Sequence, residues 1–289
     1  MTLDVLIACA NSLGESPLWC ARRQRLFWVD IRAPALFTCE ADGSNLQTTT
    51  MPELIGSFAF CANDRLIVAL KSGLYDFDPT TSRHSLIAAP DASRPNHRFN
   101  EGKCDPGGRF WAGTMNDVVR EPTGSLFRLD RERRCERVLT GIAVPNSLAW
   151  SLDGSVMYFA DTEARTIVAY DYDVNEGMLH RPRLFVDLRT GDGRPDGSTI
   201  DADGCLWNAE VGSGRIVRYA PDGRMLEAWK LPVSRVTSLT FGGTDLRTIY
   251  VTTSSYKLTA EQRSQQPLAG ALFAMRVPVG GLPAAHFAG

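Results

Sequence analysis

The chain has 289 residues, of which 44% are hydrophobic and 22% charged, and this composition is typical of a globular protein with a substantial core. Its 31 basic and 33 acidic residues nearly cancel, so no excess of positive charge indicates a nucleic-acid partner. No segment approaches the ~18 consecutive apolar residues that a membrane span requires. We therefore expect a soluble, cytoplasmic protein, a monomer or weak oligomer, whose partner is a small molecule and neither nucleic acid nor membrane.

The seven cysteines occur singly, and no two of them form a C-x-x-C pair. An odd number of scattered cysteines is unlike a disulfide framework or a structural zinc site. We expect reduced thiols that pack as small hydrophobic side chains.

A short pattern recurs along the chain: a polar residue, a tight turn and then an aromatic strand. The clearest copies lie at 100–111, 146–158 and 196–207, and their Asp-Gly or Gly-Gly turns are typical of β-hairpins. Successive copies start 42, 43, 46, 50 and 41 residues apart. The six equivalent starts are Glu15, Ser57, Asn100, Asn146, Asp196 and Thr237. Four short strands repeated at this period predict the blade of a β-propeller.

The sequence thus predicts an all-β, six-bladed β-propeller with four-stranded blades, in which residues 1–289 form a single domain. The last repeat lacks an obvious fourth strand, whereas a spare strand at 3–9 precedes the first repeat. We predict that this N-terminal strand closes the ring in the last blade, because pairing there removes an exposed sheet edge. Two β-sandwich domains are the alternative, but no linker rich in Pro, Gly or Ser divides the chain.

The repeat starts should converge in space, because the first strand of each blade lines the central channel. Glu15 and Asp196 then bring two carboxylates to one channel mouth, together with the carboxamides of Asn100 and Asn146. Unpaired carboxylates would repel each other and lose hydration, whereas oxygen ligands suit a divalent cation. Each residue could instead bond only its own backbone, as Asn and Asp do in turns. Their equivalence across blades favours the metal site.

A second set of polar residues lies near the ends of the second strands, and its regular placement indicates a structural role in capping backbone groups. The members are Asp30, Thr114, Asp161, Glu210 and Thr253. The four histidines show no metal-ligand spacing. His97 alone lies beside a channel segment, and we expect it to be an exposed loop residue.

Five ordered motifs carry a resemblance to a known family. They are LGESPLW at 13–19 with FWVD at 27–30, NHRFNEGK at 96–103, AGTM at 112–115, PNSLAWS at 145–151 and PDGS at 195–198. With these motifs the chain resembles the SMP-30/gluconolactonase/regucalcin family of six-bladed propeller lactonases over nearly its whole length. The resemblance implies that Glu15, Asn146 and Asp196 are metal ligands, the same three residues that the blade pattern selects.

The resemblance also implies that Arg98 and Asn100 contact the substrate. Related enzymes have a further acidic substrate contact after the Gly-Thr-Met segment, but here Val118 occupies that place. Either the adjacent Asp117 binds the substrate through a shifted backbone, or this contact is absent.

The predicted reaction is metal-dependent hydrolysis of a sugar-derived lactone, an aldonolactone, to its aldonic acid. One divalent ion, Ca²⁺, Zn²⁺, Mn²⁺, Mg²⁺ or Fe²⁺, would polarise the carbonyl and acidify a water, and Asp196 is the predicted general base. A single arginine in the proposed pocket favours an uncharged lactone over a phosphorylated one. The alternatives are a metal-dependent esterase or phosphotriesterase, and a non-enzymatic calcium-binding or scaffold propeller.

Overall fold

The computed structural model describes residues 3–289, which form six four-stranded antiparallel sheets and one short helix. The N-terminal strand is β1 (Asp4–Ile7). Blade one contains β2 (Gly14–Cys20), β3 (Arg25–Asp30), β4 (Ala35–Glu40) and β5 (Gln47–Thr50). Blade two contains β6 (Ile55–Phe60), β7 (Leu66–Leu70), β8 (Gly73–Phe77) and β9 (His84–Ala88). Blade three contains β10 (His97–Cys104), β11 (Phe110–Asn116), β12 (Gly124–Leu129) and β13 (Cys135–Ile142).

The second half of the chain repeats this architecture. Blade four contains β14 (Pro145–Trp150), β15 (Val156–Asp161), β16 (Thr166–Asp173) and β17 (Met178–Asp187). Blade five contains β18 (Arg194–Ile200), β19 (Leu206–Val211), β20 (Arg215–Tyr219) and β21 (Met225–Lys230). Blade six contains β22 (Val236–Gly242), β23 (Thr248–Thr253) and β24 (Leu272–Arg276), with the helix α1 (Ala260–Gln265) between the last two.

The first strand of every blade contacts the first strands of both neighbouring blades, so the six inner strands surround one central channel. Burial decreases outward along each blade: β6 and β7 are buried throughout, whereas β21 is mostly exposed. Inner strands are covered on both faces by adjacent blades, so even their polar residues are mostly buried. The six-bladed propeller predicted from the repeat is confirmed.

The ring closes as predicted. Strand β1 pairs antiparallel with β24 and supplies the fourth strand of blade six, with Val5 opposite Phe273. The edge of β24 is thereby paired, which protects it from association with other chains.

The C-terminal segment covers the end of the channel where the inner strands finish. Phe287 is buried there, and its backbone N–H donates to the carbonyl of Phe60 at 2.8 Å. The N–H of Ala288 donates to the Gly108 carbonyl at 3.0 Å, and the N–H of Ala202 donates to Gly280 at 2.8 Å. These bonds tie the segment to three blades, so the opposite mouth, where the inner strands begin, is the open one.

The second polar set has the structural role that we predicted. Asp30 accepts from the backbone N–H groups of Ser12 and Leu13, at 2.7 and 3.0 Å. Asp161 makes the same pair of bonds to residues 143 and 144 in blade four. Glu210 binds Arg215 and Tyr219 instead. Asp30 and Asp161 thus fasten the segment that enters their blades to the second strand, whereas Glu210 joins the second and third strands of blade five.

The cysteines and histidines complete the comparison with the sequence. All seven cysteines are free and five of them are buried, in agreement with the prediction. The expectation that His97 is exposed is wrong: its ring is buried and contacts Asp91 at 3.0 Å and Thr123 at 3.1 Å. It does not line the channel cavity.

Within residues 3–289, no helix has the length and apolar character needed to cross a membrane.

Candidate active site

The inner strands all become irregular at the open mouth. Each loses its regular pairing with the second strand of its blade close to the predicted repeat start, as between Glu15 and Leu18 or between Asn146 and Ala149. Equivalent shifts occur in the other four blades. Such β-bulges redirect side chains and are common beside active sites. They explain why polar residues of buried strands can point into the channel.

Two of these bulges hold a serine in the left-handed backbone region. Ser16 has φ of 48° and Ser147 has φ of 60°, a conformation that is strained for residues other than Gly. Ser147 Oγ donates to the backbone carbonyl of Asp196 at 2.5 Å, and Ser16 Oγ donates to that of Gly56 at 3.1 Å. Each strained serine therefore binds the neighbouring blade, and Ser147 fixes the backbone of a predicted metal ligand.

The open mouth leads into a cavity of about 670 Å³, a volume suited to a small-molecule ligand. Five of the six repeat starts line it: Glu15, Asn100, Asn146, Asp196 and Thr237. Ser57 does not. The convergence predicted from the repeat is therefore observed in five blades.

A second ring of residues lines the same cavity, two positions before each start. Its members are Leu13, Arg98, Val144, Arg194 and Arg235. Only Arg98 was among the predicted site residues. The available signal was strand alternation, since residues i and i+2 of a strand point to the same side. Applied to all six repeats, this rule would have identified Arg194 and Arg235 as well.

The three predicted metal ligands are buried, and the two carboxylates among them accept few hydrogen bonds from the protein. Asp196 Oδ1 has no hydrogen-bond partner among residues 3–289, although it is inaccessible to solvent. Glu15 Oε2 accepts one weak bond, from the backbone N–H of Ser16 at 3.3 Å. Two carboxylates with few partners in the protein and a carboxamide form an all-oxygen donor set that fits a hard divalent cation. The described part of the chain has no cluster of three or more His, Cys, Asp or Glu side chains that could hold a metal. The predicted ligand set contains two carboxylates, and its third member is an asparagine.

The charges in the cavity disfavour ionisation of both carboxyl groups. Burial, reinforced by the nearby charge of Glu101, raises the pKa of Glu15 to about 8. Burial and the charges of Glu15 and Glu101 likewise raise the pKa of Asp196 well above its usual value. A bound divalent cation would reverse this penalty, because it stabilises the ionised form of each ligand. Glu101 lies on the inner strand β10 but does not line the cavity, and burial raises its pKa to about 7. Sequence reasoning missed this buried carboxyl group.

Asn146 is oriented by two neighbours. Its Nδ2 donates to Thr162 Oγ1 at 2.8 Å, and Thr162 in turn donates to the carbonyl of Pro195 at 2.8 Å. Asn146 Oδ1 accepts from Asn100 Nδ2 at 3.1 Å. Because Nδ2 is committed to Thr162, the carboxamide oxygen is the atom available as a ligand.

Asp117 lies behind Arg98 and does not line the cavity. Its Oδ1 accepts from Arg98 Nε at 2.8 Å, and its Oδ2 accepts from Arg32 Nη1 at 2.7 Å. The side chain of Val118 is 68% exposed. This arrangement gives Asp117 the position of a residue that orients Arg98; a direct contact with substrate stays a prediction.

Arg98 and Asn100 both line the cavity but differ in the donors that they have left. Arg98 Nη1 donates to the carbonyl of Phe99 and to Asn100 Oδ1, at 2.9 and 2.7 Å. Its Nη2 makes no hydrogen bond with any described residue, so it remains for a ligand. Asn100 uses both ends of its amide within the protein, since Nδ2 also donates to the Pro145 carbonyl at 3.0 Å. It links Arg98 to Asn146, and its predicted contact with substrate is not tested by these bonds.

The expectation of a single arginine in the pocket is wrong. Arg120, Arg194, Arg235 and Lys257 line the cavity together with Arg98. They come from loops and strand ends of blades three, five and six, which are distant in the sequence. The inference that this pocket favours an uncharged lactone therefore loses its basis.

Fold and site together define a class of protein: a six-bladed propeller with buried carboxylates and carboxamides on a polar cavity at its open mouth. Residues 13–255 match the family model described as the SMP-30/gluconolactonase/LRE-like region. The chain belongs to this family, as its motifs predicted.

Several relatives match over nearly the full length. The chain is 37% identical over 288 residues to the 6-deoxy-6-sulfogluconolactonase of Pseudomonas putida, covering 100% of this chain and 99% of the relative. It is 36% identical to the L-arabinolactonase of Azospirillum brasilense, covering 96% and 93%. Among solved structures, a calcium-binding regucalcin from Agrobacterium tumefaciens superposes with a TM-score of 0.95 at 26% identity, covering 99% and 97%.

Proposed function

We propose that the protein hydrolyses the ester bond of a sugar-derived lactone and releases the aldonic acid, with one divalent metal ion as cofactor. The observation that carries this proposal is the pair of buried carboxylates, Glu15 and Asp196, beside the free Nη2 of Arg98 on one cavity. Asp196 Oδ1 has no hydrogen-bond partner among residues 3–289. The names of two relatives at 36–37% identity, a sulfogluconolactonase and an arabinolactonase, support it.

Glu15, Asn146 and Asp196 would hold the ion, since each offers an oxygen on the cavity wall. When bound, such an ion supplies Lewis-acid polarisation of a carbonyl and acidification of water. A relative in structure is named as calcium-binding, but the donor set alone is compatible with Ca²⁺, Mg²⁺, Mn²⁺, Zn²⁺ or Fe²⁺.

The chain's own residues have separate roles in the reaction. Asp196 accepts a proton from the attacking water, whose oxygen bonds to the lactone carbonyl carbon. The ring C–O bond then breaks, and the ring oxygen takes up the proton from Asp196 and becomes a hydroxyl. The acid product finally ionises and releases a proton to solvent. Arg98 donates from Nη2 to the carbonyl oxygen on which negative charge develops. Asn100 and Asp117 hold the guanidinium of Arg98 in place.

Lactone hydrolysis with and without a chelator, followed by addition of single divalent ions, tests this function. We expect activity on an aldonolactone to disappear with the chelator and to return with at least one ion. A protein that hydrolyses phosphotriesters or simple esters but no aldonolactone would show that the metal site serves a different reaction. Metal binding without any hydrolysis would indicate a calcium-binding propeller.

A further inference from the structure

We propose that Arg235, Arg120 and Lys257 form a second subsite in the cavity, which binds an anionic substituent of the lactone such as a phosphate, sulfonate or carboxylate group. The inference rests on the proposed lactone hydrolysis and specifies the class of lactone that the protein takes.

Arg235 is the central member of this subsite. It directly precedes β22 and lines the cavity, where its side chain is half-buried. Its guanidinium makes no hydrogen bond or ion pair with any residue between 3 and 289. The two other arginines at equivalent blade positions are both paired, Arg98 with Asp117 and Arg194 with Glu163. A guanidinium has five N–H donors, and those of Arg235 are available to hydrogen-bond acceptors of a ligand.

Arg120 brings a second charge that the protein does not neutralise fully. Its Nη1 donates to Glu163 Oε1 at 2.7 Å, but the other oxygen of the same carboxylate accepts from Arg194. One carboxylate thus serves two guanidiniums and leaves one positive charge in excess. Asp192, an exposed carboxylate on the same rim, forms no ion pair with these arginines.

Arg120 and Arg235 both line the cavity, and their charges repel each other. After burial, the charge of Arg120 is the next cause that lowers the pKa of Arg235, whereas Asp196 raises it. Two cations therefore lie within electrostatic range of each other and of the metal ligand Asp196. An anion placed between them would relieve their repulsion, and charge-assisted hydrogen bonds to phosphate, sulfonate or carboxylate are the strongest that arginine makes.

Lys257 adds a mobile charge on the loop that follows β23. Its ammonium lies 5.4 Å from the ring centroid of Tyr256. The side chain is exposed and has no carboxylate partner in the part of the chain that the structure describes. A lysine of this kind can follow the position of a bound anion without a rigid geometry. The cavity then has two parts: the predicted metal ligands and Arg98 face the ester, and the cationic residues face the substituent.

Steady-state kinetics on metal-loaded protein test the subsite. The substrates are glucono-1,5-lactone, its 6-phospho and 6-deoxy-6-sulfo derivatives, and glucaro-1,4-lactone, so that the arms separate phosphate, sulfonate and carboxylate. We expect kcat/KM for at least one anionic lactone to exceed that for gluconolactone, and to fall with added salt. Arg235→Gln should lower the ratio of anionic to uncharged kcat/KM about tenfold or more, and Lys257→Gln should lower it less. The control Arg224→Gln removes an exposed arginine that lies outside the cavity and should leave the ratio unchanged.

Equilibrium binding provides a readout that does not depend on turnover. Calorimetric titration should show tighter binding of 6-phosphogluconate than of gluconate to the parent protein, and a smaller difference in Arg235→Gln. If the parent prefers the uncharged lactone and Arg235→Gln affects charged and uncharged ligands equally, the subsite is absent. If no lactone is hydrolysed by metal-loaded protein, the proposed function fails, and the titration still decides whether the anion site exists.

Discussion

Arg98 and Asp117 form an ion pair behind the cavity wall, in which Arg98 Nε donates to Asp117 Oδ1 at 2.8 Å. The Arg98 side chain is only 4% exposed. Burial lowers the pKa of Arg98, and the charge of Asp117 opposes this effect. Asp117 also binds Arg32, whose guanidinium lies 4.4 Å from the ring centroid of Tyr256. The pair leaves Nη2 of Arg98 as the donor that faces the cavity.

We expect Asp117→Asn to raise KM for the lactone about tenfold, because a neutral amide orients the guanidinium less firmly. Metal content should not change. Arg98→Gln and the double variant complete a cycle: if Asp117 acts through Arg98, the two effects are not additive. Additive losses would show instead that Asp117 contacts the substrate directly. Asp245→Asn, which removes an exposed partner of Arg276, is the control and should leave KM unchanged.

The metal ligands can be tested without any activity measurement. Glu15→Gln and Asn146→Ala should each lose tightly bound metal while the propeller remains folded, because the ligands come from different blades and none is part of the hydrophobic core. Metal analysis and circular dichroism measure the two properties. Ser57→Ala is the matched control, since Ser57 is the equivalent residue of blade two and does not line the cavity. Full metal occupancy in both ligand variants would contradict the assignment.

Two substitutions of Asp196 separate its roles as ligand and base. We expect Asp196→Asn to keep a measurable fraction of the metal, because an amide oxygen can still ligate, yet to lose ~10²–10⁴-fold in kcat because it accepts no proton. Asp196→Ala should lose both metal and activity. Metal content and kcat are measured on the same preparations. Turnover near the parent rate by metal-loaded Asp196→Asn would show that the base lies elsewhere.

The raised carboxyl pKa values predict how the stability of the metal-free protein depends on pH. Glu15 has an ordinary pKa of 4.5 in the unfolded chain and one of about 8 in the folded protein. Between these values the folded state binds more protons than the unfolded state, so the free energy of unfolding falls as pH rises, by at most about 1.4 kcal/mol per pH unit for one proton.

Urea denaturation at pH 6 and pH 8 in the presence of chelator measures this difference. We expect lower stability at pH 8, a smaller difference in Glu15→Gln, and recovery at pH 8 on addition of the divalent ion, which binds the ionised carboxylates. Equal or greater stability of the metal-free parent at pH 8 would count against the buried carboxylate pair.

Much of the architecture could be predicted from the sequence, because a propeller repeats one local unit. Spacing, hairpin turns and aromatic strands identified the six blades, and the missing fourth strand of blade six indicated its pairing with β1. The same repeat aligned Glu15, Asn146 and Asp196, since equivalent blade positions must meet at one mouth. These features depend on local periodicity and on ring closure, and both can be recognised in the amino-acid sequence.

The tertiary structure alone decided how the charges in the cavity are paired. Asp117 lies next to the position expected for an acidic substrate contact, but its bonds to Arg98 and Arg32 turn it away from the cavity. The sequence did not indicate whether Arg235 and Lys257 form ion pairs, because an ion pair can join residues from different blades that are distant in the sequence. The charge of the pocket depends on which carboxylates serve which arginines, and that depends on distances of a few ångströms between loops that the repeat does not constrain.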